Sequence, residues 1–169
     1  MILETQRLAL RRLTDGDFDE LYAMFNDPLV MRYYPGLKDR SETAEWLAWQ
    51  RESYARHGHG LWAVELRSSQ EFVGQVGLLA QTVDGVGETE IGYLLKSAYW
   101  HKGYATEAAI ACRDYGFNEL GRSQLISLIR PANEASRAVA QRVGMVVWKI
   151  VMRRGIEHLV YRIQKGPMA

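Results

Sequence analysis

Leu8 and Leu10 alternate with Arg7, Ala9 and Arg11 in "RLALRRL", a two-residue period that predicts a strand with one wet face. Thr14, followed by Asp17 three residues later, resembles a capping box, and Phe18, Leu21, Tyr22 and Phe25 recur at helical spacing until Asp27 and Pro28 stop the pattern. A second helix is expected from Ser41, with Ala44, Leu47 and Ala48 on one face, ending at the "HGHG" of residues 57–60. "LWAVEL" from Leu61 and "FVGQVGLL" from Phe72 read as strands joined by the polar "RSSQE". "VDGVGE" makes the next turn, and "ETEIGYLL" from Glu88 to Leu95 the next strand, with Glu88, Glu90, Gly92 and Leu94 on one face.

From Ala105 the pattern returns to helical spacing through Ala108, Ala109, Cys112, Tyr115 and Gly116, a mostly small face that lets a helix sit close to a sheet. "SQLISLI" from Ser123 is a strand that Pro131 ends, and Asn133 caps a short helix running to Val143 and closing on Gly144. "MVVWKIVM", a turn over residues 153–157 and "HLVYRIQ" form a closing hairpin. Strand, two helices, three strands, helix, strand, helix and two strands is an α/β (α+β) order around a mixed, mostly antiparallel sheet, and it excludes a pure βαβα succession.

The 169 residues, 47% of them hydrophobic, suit a single domain over 1–169 with a full core. Lys+Arg 21 against Asp+Glu 20 gives a formal charge of +1, so no broad basic field draws the chain to nucleic acid or to an anionic membrane. Any anion site has to be local. The lone Cys112 has no disulfide or metal-ligand partner, which points to a reducing, cytoplasmic setting and to an inert buried thiol. No basic leader followed by an apolar run opens the chain, and no apolar stretch is long enough to span a bilayer. His57 and His59 flank Gly58 without a carboxylate or cysteine at ligand spacing, so a surface turn is expected there and no metal. Trp46, Trp49 and Trp62 are read as packing residues.

The segment "YWHKGYATEA", residues 99–108, sits where a strand gives way to a helix, and the first-turn N–H groups of Gly103, Tyr104, Ala105 and Thr106 would converge on an anion. A P-loop needs Ser or Thr directly after Gly-Lys, whereas here Lys102 precedes Gly103 and Tyr104 follows it. A dinucleotide fingerprint needs three glycines, and this loop has one. What remains fits a pyrophosphate.

On these residues the chain resembles the GCN5-related N-acetyltransferase (GNAT) superfamily, over nearly its whole length. That superfamily's pyrophosphate loop, Q/R-x-x-G-x-G/A, is matched by Trp100 to Ala105, and Trp in the first position is the form seen in the RimJ/RimL-type branch. A second, independent match lies in "NEASRAVAQRVGM", with N-x-x-S from Asn133 to Ser136 and Gly144 eleven residues after the Asn. The "EIGY" strand precedes both. The resemblance implies about seven strands and about four helices, with the fourth and fifth strands splayed apart.

It also implies acetyl-CoA as co-substrate and an acetyl group moved to a primary amine by direct transfer in a ternary complex, on a monomer or homodimer. Leu94, Leu95 and Lys96 would bond the pantetheine arm through their backbone, Lys102, Gly103, Tyr104, Ala105 and Thr106 would hold the pyrophosphate, and Asn133 would both cap its helix and bond pantetheine. An amine attacks only when neutral, so a base is useful, and Glu90 is either that base or an acid that attracts a cationic acceptor or pairs with an arginine. The tyrosine that many relatives place seven residues after the Asn is Ala140 here. Ser136 is therefore the candidate proton donor to the departing thiolate, or else a first-turn serine bonded to local backbone. Met31, Arg32, Tyr33 and Tyr34 are either one wall of the acceptor cleft or core, and Arg32 either meets an acidic acceptor or is solvated. The acceptor is a protein N-terminal amine or a small-molecule amine. An acyl-CoA sensor without turnover and a nucleotide-binding regulator are the rival functions.

Overall fold

A computed structural model describes residues 1–167, so the last two residues of the expected 1–169 domain lie outside the described residues. Eight strands form one sheet in the order β1-β2-β3-β4-β5-β6-β8-β7. They are β1 (Leu3–Glu4), β2 (Leu8–Arg12), β3 (Leu61–Leu66), β4 (Phe72–Val83), β5 (Val86–Leu95), β6 (Gln124–Ile129), β7 (Val146–Arg153) and β8 (Ile156–Gln164). The helices are α1 (Phe18–Phe25), α2 (Arg40–His57), α3 (Tyr104–Asn118) and α4 (Glu134–Val143). The strand not foreseen is β1, two residues long and too short for any periodicity to register.

Every strand pairing but one is antiparallel. The exception joins β5 to β6 in parallel, and only Glu90 and Ile126 are aligned across it. Beyond that pair the two strands diverge, which is the splay expected of the fourth and fifth strands of a seven-strand count. The final hairpin returns β8, not β7, against β6.

Apolar clusters lie on both sheet faces. On one, α3 presents Ala108, Ala109, Cys112 and Gly116 to Val76, Leu78 and Ile91. A Cβ at Gly116 would stand 3.0 Å from Leu125 Cδ1, so the small face sets how near the helix axis can come. Cys112 is wholly buried, and burial pushes its thiol well above the ordinary range. On the other face α1 and α2 cover Ala63 and Phe72 with Leu21, Met24, Phe25 and Leu47.

Several local expectations are corrected. Ala9 is buried with Leu8 and Leu10, because β2 is an inner strand of a sheet that carries helices on both faces. The first helix is preceded by a 3₁₀ turn, Asp15–Asp17, on which Thr14 and Asp17 do form the capping box. Asp39, not Ser41, caps α2, accepting from the Glu42 N–H at 2.8 Å. The buried face of α2 is Thr43, Leu47, Gln50, Ser53 and Tyr54, while Ala44 and Ala48 are exposed. That helix docks by hydrogen bonds as well as by apolar contact: Gln50 Oε1 accepts from Leu61 N–H at 2.8 Å and Ser53 Oγ donates to the His59 carbonyl at 2.7 Å. His59 is buried rather than on a surface turn, with its Nδ1 2.7 Å from the Leu78 carbonyl.

Candidate functional site

Two cavities lie along the splay and α3. The smaller, about 680 Å³, is lined by His101, Gly103, Thr106, Glu107 and Arg142. Gly103 caps α3 at φ +80°, a left-handed conformation that costs a non-glycine residue about 1–2 kcal/mol. The three N–H groups that follow it, of Tyr104, Ala105 and Thr106, have no carbonyl available within the helix. With the positive end of a 15-residue helix behind them they form an anion cradle.

The cradle is braced from the first strands. Arg7 Nη1 donates to the Lys102 carbonyl at 2.8 Å, Arg7 Nε donates to Glu107 Oε2 at 2.6 Å, and the guanidinium lies 4.5 Å over the Tyr104 ring. Thr5 Oγ1 and the Arg7 N–H both donate to Glu107 Oε1, at 2.6 and 2.9 Å. Burial alone would raise the Glu107 carboxyl, but these donors and the Arg7 charge outweigh it and hold the group below its ordinary range. Trp100 pins the other end of the loop, donating its indole N–H to the Leu95 carbonyl at 3.0 Å. That gives a physical reason for Trp at the first loop position.

The larger cavity, about 870 Å³, opens where β5 and β6 part. Its floor holds Glu90, which is 9% exposed. Glu90 Oε1 accepts from Gln81 Nε2 at 3.0 Å and Oε2 from the Leu128 N–H at 2.9 Å. The carboxylate thus takes up a β6 backbone donor just past the last aligned pair, where the strands have stopped bonding each other. Burial raises its pKa above the ordinary 4.5, against the lowering effect of those two donors and of the Arg153 charge.

Asn133 and Ser136 line the same cavity from the start of α4, and Asn133 Oδ1 caps that helix by accepting from Ser136 N–H at 3.2 Å. Tyr93 donates its hydroxyl to the Ser136 carbonyl at 2.6 Å, which ties β5 to α4 across the mouth of the splay. Burial first, then the neighbouring Tyr34 and Glu90, push the Tyr93 phenol far up, so it stays a proton-bearing donor at any working pH.

The cavity brings together Glu90, Leu94, Asn133, Ser136, Met31, Tyr33 and Tyr34. It leaves others aside. The Leu95 carbonyl is engaged by Trp100, the Lys96 N–H donates to Val73 at 2.9 Å, and the Lys96 ammonium pairs with Glu20 at 2.6 Å. Arg32 is exposed and stacks 5.4 Å over Tyr33 instead of facing the cleft. Lys102 is exposed, with its ammonium 5.7 Å over Tyr99, and contributes to the loop through its carbonyl. Trp46 and Trp49, read as packing residues, line the cleft, and Trp46 Nε1 donates to Gln75 Oε1 at 3.1 Å. Trp62 is core.

Sequence reading missed Gln81, Tyr93, Arg130 and Arg153 in this cavity, and Arg7, Glu107 and Arg142 at the loop. One of these had a usable signal. Glu107 stands four residues after Gly103 in the first turn of the helix that forms the candidate anion site, where an acid would repel an anion unless a cation answers it.

A family model described as an acetyltransferase (GNAT) domain matches residues 7–146. The protein YkkB of Bacillus subtilis (strain 168) is 42% identical over 152 residues, covering 89% of this chain and 88% of that one. The crystal structure of an acetyltransferase from Agrobacterium tumefaciens str. C58 superposes with a TM-score of 0.86 at 32% identity, covering 96% of this chain and 94% of that one. RimL, a ribosomal L7/L12 alpha-N-protein acetyltransferase solved with coenzyme A, shares the fold at a TM-score of 0.77 and 15% identity, with 96% and 97% covered.

Proposed function

The chain belongs to the GNAT acetyltransferase family, and from that premise we propose that it moves an acetyl group from acetyl-CoA to a primary amine, by direct transfer within a ternary complex and on one domain. The observation that carries this reading is Glu90, a buried carboxylate of raised pKa at the floor of a cleft whose rim holds Asn133 and Ser136.

The residues fit the donor. A pyrophosphate suits the N–H groups after Gly103, where a bare Cα leaves room, and Arg142 and His101 flank it. The diverging edges of β5 and β6 offer backbone groups for an extended pantetheine, with Leu94 and Asn133 beside them. The donor supplies an activated acyl group.

The protein supplies the rest. Glu90 removes a proton from the bound ammonium, a step its raised pKa favours, since burial makes it a stronger base than an ordinary solvated carboxylate. Ser136 stands to donate to the departing sulfur, and Tyr93 holds the Ser136 backbone at the cleft mouth. Cys112, wholly buried, is closed to an acetyl-cysteine route. The loop, with Trp100 at its first position, favours the RimJ/RimL-type branch, and a reducing cytoplasm suits the unpaired thiol.

Two measurements test the reading. Acetyl-CoA should raise the thermal midpoint while ATP and NAD do not, since a ligand that binds only the folded state must stabilise it. Free thiol should then appear when a panel of amines is added. Stabilisation without thiol release from any amine would replace the transferase by a sensor, and no stabilisation would remove the cofactor assignment.

A further inference from the structure

The larger cavity carries a charge that amine transfer alone does not call for. Lys38, Arg130, Arg153 and Arg154 line it, with only Glu42 and Glu90 as acids. None of the four cations takes part in an ion pair among the described residues. Three of them have neutral partners. Arg130 Nη1 reaches the Tyr33 carbonyl at 3.4 Å, Lys38 lies 5.4 Å over the Trp46 ring, and Arg153 donates to the Thr82 carbonyl at 3.1 Å and to Gln81 Oε1 at 3.2 Å. A guanidinium has five N–H donors, so Arg130 and Arg153 retain capacity for an anion.

Arg153 is also tied to the reacting end. Gln81 accepts from Arg153 through its oxygen and donates to Glu90 through its nitrogen, so one amide group separates the cation from the proposed base. A ligand that places its amine at Glu90 therefore has a guanidinium a few bonds away. A polycationic acceptor would meet four like charges there. An acceptor with a carboxylate near its amine would gain charge-assisted hydrogen bonds that the protein itself does not provide. Phe25, Met31, Trp46 and Trp49 supply an apolar and aromatic part of the lining.

Resting on the transferase reading above, we propose that the acceptor is a small amine bearing a carboxylate close to the amino group and an apolar or aromatic substituent, with Arg153 and Arg130 as its carboxylate anchors. Glu90 takes the ammonium proton, Arg153 and Arg130 hold the carboxylate, and the aromatic wall receives the side chain.

The test is a matched series offered with saturating acetyl-CoA: phenylalanine, phenylalaninamide, phenethylamine and a phenylalanyl dipeptide. Phenylalanine should exceed its amide and phenethylamine in kcat/KM by about tenfold or more, and the gap should narrow with added salt. Arg153→Gln and, separately, Arg130→Gln should bring the acid-to-amide ratio toward one, chiefly through KM for the acid. Unchanged thermal midpoints in both variants would certify the fold. Equal rates across the series, or a preference for the uncharged amines, overturns the carboxylate anchor while leaving the transferase intact. A ratio that survives both substitutions overturns it as well. A dipeptide matching the free acid would overturn a carboxylate held beside the amine. Absence of transfer to every member overturns the inference, and thiol release with a general amine panel then decides separately whether the transferase reading falls with it.

Discussion

The cradle at the start of α3 and the cleft at the splay both handle charge, and they do so in opposite ways. At the cradle the one carboxylate is answered before a ligand arrives: Glu107 takes Thr5, the Arg7 N–H and the Arg7 guanidinium, and the helix start offers its backbone N–H groups, with Arg142 beside them. At the cleft Glu90 is buried with neutral hydrogen-bond donors on its oxygens, and the cations around it have neutral partners. The binding of one constant group proposed for the cradle suits a site built from backbone and braced from outside. The proton transfer proposed for the cleft suits charges left without a direct ion-pair partner, because a paired carboxylate would be a weaker base and a paired arginine a weaker anchor.

The largest expected effect breaks the cradle. Gly103→Val forces a β-branched residue to φ +80° and sets a Cβ 3.3 Å from Arg7 Nη2, while adding bulk where a phosphate would approach the backbone. Affinity for acetyl-CoA, measured by titration calorimetry, should fall by about 100-fold or more, equivalent to about 2.7 kcal/mol. Retained affinity would remove the loop from the donor site.

Next comes the cleft floor. Glu90→Gln should lower kcat/KM by about 100-fold near neutral pH, within the range for loss of a general base, and the deficit should shrink as pH approaches the amine pKa, where free amine is supplied by the solvent. A pH–rate profile parallel to that of the parent would reject the base. The same substitution tests stability with a definite sign. The folded carboxyl titrates above its unfolded value, so the folded state holds the proton more tightly, and stability is full below about pH 4.3 and declines as pH rises through the raised folded pKa. Glu90→Gln should therefore raise the thermal midpoint relative to the parent at pH 8 more than at pH 5.

The difference between the regions also decides what could be read from the chain. The cradle is contiguous: Trp100 to Thr106 carry the turn, the glycine and the free N–H groups within seven positions, so a short pattern reveals it. The "EIGY" strand and the Asn133 cap are equally local. The cleft is assembled from the loop after α1, from α2, β4, β5, β6, α4 and the last hairpin, and Arg153 reaches Gln81 across 72 positions. No periodicity reports such a contact. Nor could amphipathicity orient α2, placed within a residue of its true start, since its inward face includes Thr43, Gln50 and Ser53, the last two bonded to the 59–61 backbone, and reads as solvent-facing. Glu90 was legible because the "EIGY" strand resembles the family's, where a basic glutamate stands, and alternation alone would not have told it from Glu88. Its two hydrogen-bond donors were not.

A smaller effect sharpens the comparison at the cradle's brace. Glu107→Gln keeps the shape but removes the charge that holds Arg7. Arg7 is partly exposed, and such pairs contribute about 0–1 kcal/mol to stability, so the thermal midpoint should move little. The loop should loosen nonetheless, raising KM for acetyl-CoA about three- to fivefold with kcat near that of the parent, a ratio worth less than 1 kcal/mol. A fall in kcat with unchanged KM would mean that the brace acts on the cleft rather than on the donor.

The smallest expected effect concerns Ser136, which belongs to both regions by standing where α4 meets the splay. Its N–H is used by Asn133 Oδ1 and its carbonyl by the Tyr93 hydroxyl, while among the described residues its own hydroxyl makes no hydrogen bond. A first-turn serine with a structural duty would have spent that hydroxyl on the backbone. Ser136→Ala should consequently leave the fold and acetyl-CoA affinity within about twofold. Turnover should drop only about three- to tenfold, or about 0.7–1.4 kcal/mol in the barrier, because a thiol of pKa about 8.5 leaves tolerably without a donor. Steady-state kinetics beside direct binding separates the outcomes, since a lower kcat at constant affinity marks a group used in the transition state and equal losses in both mark a binding contact. Tyr93→Phe supplies the contrast: it removes the hydroxyl that holds the Ser136 carbonyl, so it should disturb affinity and turnover together where Ser136→Ala disturbs turnover alone.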